Sequence, residues 1–124
     1  MTEKLRMILL VLSHLLLVFS AAVAFSTLGE PEEHLVEAAL ALYVMFLSLL
    51  DAIRDARFVA LGYYYSASDA YIELMSYLAR VMLATPLIIV SGSPLAARLL
   101  HMGLTLNICY AAISFLELIR EWTG

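Results

Sequence analysis

The chain has 124 residues, of which 64% are hydrophobic and 15% charged, and its formal net charge is −4. A soluble domain of this size is about half apolar and about a quarter charged, so the composition indicates a single domain embedded in lipid. The seven Lys and Arg residues are too few and too scattered for a nucleic-acid surface.

Two further features of the composition limit the kinds of protein and site that the chain can be. The single cysteine, Cys109, excludes a disulfide framework, a CxxC redox pair and a cysteine-based zinc site. Gln is absent and Asn occurs once, which is typical of a thermophile-like composition.

The first helix is predicted at residues 5–28 and contains an uninterrupted apolar run of 22 residues. At about 1.5 Å per residue, this run spans the roughly 30 Å of bilayer hydrocarbon. Lys4, Arg6 and the small residues at 22–24 imitate a secretory signal, but the apolar run is longer than a signal core. We therefore expect a retained membrane helix, in which His14 is the one titratable group of the apolar run.

The second helix is predicted at residues 34–61, after a turn that contains Pro31 and before Gly62, which favours a helix end. At 100° per residue, Glu37, Asp51 and Asp55 fall on one face of this helix. Either these acids lie at the two wet ends of the span, or they form an acidic stripe that faces the interior of the bundle.

The third helix is predicted at residues 69–90 and carries Arg80 inside its apolar run. An ionised guanidinium in hydrocarbon costs several kcal/mol unless it is paired or reaches the interface. The candidate partners are Asp51, Glu73, which we expect at the interface, and the more distant Glu37. Arg80 is then either a structural ion pair that fixes helix register or a working charge, as an anion contact or in a transport path.

The fourth helix is predicted at residues 94–121, with Ser93 as its N-cap and Pro94 at its first position. Small and polar residues recur on one of its faces, which suits close helix packing. This packing seam consists of Gly103, Asn107, Ala111 and Ser114.

Four spans with tight turns predict an all-α, up-down-up-down transmembrane four-helix bundle. Positive residues gather on one side of it and Arg98 stands alone on the other, so both termini are expected to be cytoplasmic and the protein to lie in the cell membrane. The residues of the positive side are Lys4, Arg6, Arg54, Arg57 and Arg120.

Cofactor chemistry finds little support in the sequence. His14 and His101 differ in predicted depth by roughly 11 Å, so one haem iron cannot bind both; a haem between His34 and His101 near the outer surface is the remaining arrangement. No Glu-x-x-His pair of the kind used by metal sites in bundles occurs. Nucleophilic catalysis would need a base beside Cys109 or one of the membrane serines, and the sequence shows no such base. We expect no cofactor, no metal and no enzymatic activity.

Short motifs from Leu35 onward resemble the phosphate-starvation-inducible E-type (PsiE-like) membrane proteins. They are Leu35-Val36-Glu37 at the start of helix 2, the acid Asp51, the helix 3 arginine Arg80, and Ser93-Pro94-Leu95 before helix 4. The resemblance covers about two thirds of the chain, although Asp51 stands in place of Glu and the interval from Arg80 to Ser93 is longer. It implies a four-helix fold and a membrane location.

Three functions fit these patterns. The first is a non-enzymatic protein that acts by helix–helix assembly in the bilayer, as a homo-oligomer or as an accessory subunit, with small-residue seams on helices 1 and 4 as its contact surfaces. The alternative is a small ion or solute transporter or channel whose path is lined by Arg80 and the acidic residues. The third is a self-assembling hydrophobic capsid or pilus subunit.

Overall fold

The protein folds into four α-helices, as shown by a computed structural model that describes residues 2–30 and 32–123. They are α1 (Thr2–Ser26), α2 (Leu35–Leu61), α3 (Ala67–Ser91) and α4 (Pro94–Thr123). Each helix is long and apolar enough to cross a membrane. The described ranges contain no strand, which confirms the predicted all-α class, and the four apolar helices are those of a multi-pass membrane protein.

Side-chain caps and glycines define where the helices begin and end. Ser66 Oγ accepts a hydrogen bond from the Asp69 backbone N–H at 3.3 Å, and the Asp69 carboxylate accepts one from the Ser66 N–H at 3.1 Å, a capping box that opens α3. Ser93 caps α4 as predicted, by accepting from the Ala96 N–H at 3.3 Å. Gly62 ends α2 with φ of 78°. Pro31, predicted to lie in the first turn, is outside the described residues.

Helix α1 is the centre of the bundle, because the two most extensive helix contacts are those that it makes with α2 and α4. One end of the bundle carries the α2–α3 connection at residues 62–66, and we call it the Tyr65 end. The half of the bundle away from the Tyr65 end is filled by a continuous apolar core. Its fully buried members include Leu17, Ala21, Ala41, Val44, Ala84 and Leu87.

The packing seam on α4 is used inside the protein. Gly103 lies so close to its neighbours that an added Cβ would stand 2.5 Å from Tyr77 Oη and 3.1 Å from the Ser13 carbonyl oxygen. Asn107 Nδ2 donates to Ser13 Oγ at 3.4 Å, and both side chains are buried. The seam therefore brings α4 against α1, with Ala111 half-buried and Ser114 buried along it.

This placement corrects one sequence-based expectation. We expected the small-residue seams to serve as surfaces for other chains, but the α4 seam is occupied by α1 of the same chain. What the bundle presents outward is large apolar side chains instead. On α2 these include Leu42, Phe46, Leu49 and Ile53, all of them exposed.

Candidate functional site

Six ionisable side chains meet in the half of the bundle nearer the Tyr65 end. One comes from α1, three from α2 and two from α3, and contacts of ion-pair length connect them. We call this group the ion-pair network. Its members are His14, Asp51, Arg54, Asp55, Glu73 and Arg80.

The periodicity of α2 explains how three charged residues come together. Asp51 and Asp55 are one helical turn apart and follow Ser48 on the same face, which is turned towards α1 and α3. Ser48 and Asp55 are fully buried, while the Asp51 side chain is 22% exposed. Arg54 lies between the two acids and reaches around towards α3. The sequence therefore supplies α2 with one acidic, inward face near its C-terminal end.

Arg80 forms the deepest ion pair of the network. Its Nη1 lies 2.6 Å from Asp51 Oδ2 and donates to Ser48 Oγ at 3.5 Å. The structure thus brings together the two residues that the sequence nominated as partners. Because the Arg80 side chain is almost completely buried, this pair satisfies a charge that hydrocarbon alone would not tolerate.

Arg54 gathers three carboxylates around a single guanidinium. Its Nη1 lies 3.4 Å from Asp51 Oδ1, its Nε donates to Asp55 Oδ1 at 3.2 Å, and its Nη2 donates to Glu73 Oε1. Unlike Arg80, the Arg54 side chain is 43% exposed. It is therefore the network's contact with the surroundings of the bundle.

His14 lies at the centre of the network and is completely buried. Its Nε2 is 3.3 Å from Asp55 Oδ2 and 3.6 Å from Glu73 Oε2, but neither contact has the alignment of a hydrogen bond. Among the residues that the structure describes, neither ring nitrogen of His14 has a hydrogen-bond partner, and neither do these two carboxylate oxygens. Three unpartnered ligand atoms therefore converge in a buried place.

Tyr65, in the α2–α3 connection, fixes one of these carboxylates. Its hydroxyl donates to Asp55 Oδ1 at 2.6 Å. Burial raises the pKa of Tyr65 above its usual value, and the hydrogen bond to Asp55 raises it further. The hydroxyl therefore stays protonated as a donor, and because Oδ1 is engaged by Tyr65 and Arg54, Asp55 turns its other oxygen towards His14.

The network carries an unbalanced charge. Asp51, Asp55 and Glu73 contribute three negative charges and the two arginines two positive ones, so the sum is −1 when His14 is neutral. A buried net charge is costly in a low-dielectric interior. A proton on His14 or a bound cation balances it.

A cleft between α2 and α3 reaches the network from the Tyr65 end. Its volume is about 220 Å³. The main apolar core lies in the other half of the bundle. The cleft is lined by Arg54, Phe58, Tyr65, Asp69, Ile72 and Glu73.

Two sequence-based placements differ from the structure. Glu37 does not reach Arg80; it is half-buried at the other end of α2, with Oε2 4.0 Å from Nδ1 of His34. Glu73 was expected at the interface but is only 9% exposed, since Arg54 pairs with it inside the bundle. The acidic stripe is therefore formed by Asp51 and Asp55 without Glu37.

The sequence did not single out His14, Arg54 and Asp55 as parts of one site. The sequence signal that could have identified Asp55 is its position one helical turn after Asp51, on the same face of α2 as Ser48. The expectation of no metal rested on the absence of a Glu-x-x-His pair along the chain. The structure instead assembles His14, Asp51 and Glu73 from three helices, each with a ligand atom within 4.8 Å of those of the other two.

Comparison of the chain with models of protein families, with curated proteins and with solved structures finds no match. Function is therefore inferred from the residues and the geometry of this chain.

Proposed function

We propose that the protein is a non-enzymatic, small ion transporter of the cell membrane that takes up a cation at the ion-pair network in exchange for a proton. The observation that carries the proposal is the convergence of His14 Nε2 with two unpartnered carboxylate oxygens in a buried place. The network lacks one positive charge, and a proton and a cation are alternative ways to supply it. Ionisable groups buried in membrane helices commonly mark such ion and proton pathways.

The proposed arrangement in the membrane is up-down-up-down, with both termini and the Tyr65 end on the cytoplasmic side. Arg54 and Arg57 lie near the Tyr65 end, whereas Arg98 lies near the start of α4, towards the opposite end of the bundle. Membrane proteins favour Lys and Arg on the cytoplasmic side. The cleft then opens to the cytoplasm. A relation to the phosphate-starvation-inducible E-type membrane proteins, through the motifs at residues 35–37 and 93–95, is part of this proposal.

Release on the other side requires a second conformation, because the apolar core closes the outer half of the bundle. Helix α3 is the element best placed to move, since it packs less extensively against each of its neighbours than α2 or α4 packs against α1; its movement must break the Arg80–Asp51 pair. Pro86 lies within α3 and removes one backbone hydrogen bond there. Movement of α3 against α2 would open the network towards the opposite side.

The test is cation-driven proton movement in proteoliposomes that contain a pH-sensitive dye. Inward gradients of Na⁺, K⁺, Mn²⁺ or Zn²⁺ are imposed one at a time, and we expect at least one of them to drive protons out and raise the internal pH. Glu73→Gln should abolish the movement, because it removes a charge of the network.

The matched control is Glu37→Gln, which removes an acid from the same bundle outside the network and should keep the wild-type rate. If none of the four gradients moves protons faster than in vesicles without protein, or if Glu73→Gln is as fast as Glu37→Gln, the proposal is wrong.

Assembly into an oligomer or a larger membrane complex is the second candidate function. It is favoured by large aromatic side chains that face outward in the middle of α2, Tyr43 and Phe46, which are 51% and 62% exposed. Phe46→Ala should then lower the oligomer mass measured by light scattering in detergent. An unchanged mass, or a monomeric wild type, would speak against this role.

A further inference from the structure

We propose that the cation is a divalent transition-metal ion such as Zn²⁺, held by His14, Asp51 and Glu73, with Asp55 beside it. This inference rests on the proposed cation site and names its ligand class. An imidazole nitrogen is a favoured ligand of transition metals, whereas Na⁺, K⁺, Mg²⁺ and Ca²⁺ are bound mainly by oxygen. A fully buried histidine among carboxylates therefore selects for the first class.

The spacing of the candidate ligand atoms suits such an ion. With metal–ligand bonds of about 2.0–2.1 Å, neighbouring ligands of a tetrahedral site lie about 3.3–3.4 Å apart. His14 Nε2 lies 3.3 Å from Asp55 Oδ2 and 3.6 Å from Glu73 Oε2. His14, Asp51 and Glu73 also offer atoms that all lie within 4.8 Å of one another. Of the three ligands, Glu73 is already close to the tetrahedral spacing from His14, and Asp51 would have to move towards both.

The surrounding groups orient the carboxylates as outer ligands of a metal do. Arg54 engages Glu73 Oε1, and Arg54 with Tyr65 engages Asp55 Oδ1. The oxygens left over, Oε2 and Oδ2, are the two that face His14. The geometry therefore holds Glu73 Oε2 and Asp55 Oδ2 beside His14, whereas Asp51 Oδ1 becomes free for a metal only when Arg54 moves away from it.

Charge balance assigns Arg54 a particular role. A divalent ion added to the network as it stands would leave it with a charge of +1, because neutral His14 leaves −1. Without Arg54 the remaining groups sum to −2, which a divalent ion neutralises. Since Arg54 is 43% exposed, it can turn into the cleft when the metal enters. Arg54 is thus a built-in competitor of the metal.

The experiment measures Co²⁺ binding to the purified full-length protein in detergent near neutral pH. Co²⁺ serves as the probe because its visible absorption reports four-coordinate sites with nitrogen and oxygen ligands. We expect one Co²⁺ per chain with such an absorption band, which Zn²⁺ displaces. His14→Gln should weaken binding at least about tenfold, while His101→Gln, at an exposed histidine of α4, should bind as the wild type does.

Arg54→Gln provides a variant whose effect has the opposite sign. Removal of a competing positive charge a few ångströms from the site should tighten Co²⁺ binding on the order of tenfold. A variant that merely failed to fold would lose binding. Three results would each overturn the metal site: weaker binding by Arg54→Gln, equal binding by His14→Gln and the wild type, or no Co²⁺ bound by the wild type. The last result would leave a protonated His14 to balance the charge of the network.

The failure of this inference can be told apart from that of the proposed function. If Na⁺ or K⁺ gradients drive proton movement and Co²⁺ does not bind, the metal assignment is wrong and the transporter stands. If Co²⁺ binds as expected and no cation gradient moves protons, the metal site stands and the transport function is wrong.

Discussion

Buried charges in this bundle are satisfied in two different ways. Arg80 has a dedicated partner, with Asp51 Oδ2 at 2.6 Å, and is almost inaccessible. Arg54 shares three carboxylates and remains partly exposed. The first arrangement stabilises one geometry, whereas the second can be rearranged at smaller cost because water is available to the leaving guanidinium. Arg80 is thus the enclosed cation of the network and Arg54 the one that reaches its surface.

Replacement of Arg80 tests its structural role. Arg80→Ala leaves Asp51 without its closest partner in a mostly buried position, and removing one member of a buried pair costs about 3–5 kcal/mol. We expect the free energy of unfolding, measured by denaturing-detergent titration in mixed micelles, to fall by about that amount.

Arg98→Ala is the control for this experiment, because Arg98 is exposed on α4 and surface substitutions usually change stability by about 0.5 kcal/mol or less. Equal losses in the two variants would show that the Arg80–Asp51 pair contributes no specific stability.

At the residue scale, the sequence could predict the Arg80–Asp51 contact but not the complete network. The cost of an intramembrane arginine calls for an acid of similar depth, and Asp51 was available. Depth counted from the ends of the apolar runs placed Glu73 at the interface and left Asp55 either at a wet end or in a stripe facing the interior. The structure buries both against His14, a contact among three helices that no spacing along one helix encodes.

The helices themselves were predictable because membrane spans have a simple physical signature. Long apolar runs fix their existence, and Ser93, Pro94 and Gly62 fix several of their ends. The partner of each helix face was less predictable. The α4 seam was recognised as a packing surface, but its small residues are compatible with α1 of the same chain and with another protein alike, and only the fold decides between them.

Close packing of α4 on α1 and α3 is testable at Gly103. In Gly103→Ala the new methyl group would stand 2.5 Å from Tyr77 Oη, and overpacking of this kind costs typically 1–3 kcal/mol. Tyr77→Phe removes the clashing oxygen, for which the described residues offer no hydrogen-bond partner. The double variant should therefore be more stable than Gly103→Ala alone, by unfolding in mixed micelles. Strict additivity of the two changes would contradict this packing.

Considered as a whole, the molecule is asymmetric along its long axis. Its buried ionisable groups lie in the half nearer the Tyr65 end, and its main apolar core fills the other half. The cleft reaches the charged half through Arg54 and Glu73. A bundle stabilised only by packing needs no such division, whereas a protein that receives an ion from one compartment requires an accessible polar half and a sealed opposite half.

The proposed orientation can be checked by thiol labelling in intact cells. In a Cys109→Ser background, Tyr64→Cys places a thiol in the α2–α3 connection and Glu32→Cys places one in the α1–α2 turn; both sites are exposed. A membrane-impermeant maleimide should label the cysteine at position 32 from outside and reach the one at position 64 only after lysis. The reverse pattern would invert the topology, and labelling of both from outside would contradict it.

The most direct test of cation–proton exchange at the network is the apparent affinity for Co²⁺ as a function of pH. If a proton and the metal compete for His14, affinity falls as the pH is lowered, approaching about tenfold per pH unit for one proton. The wild type should show this dependence, and His14→Gln should lose most of it together with its affinity. Binding that is independent of pH in the wild type, or that depends on pH equally in both proteins, would contradict an exchange site built on His14.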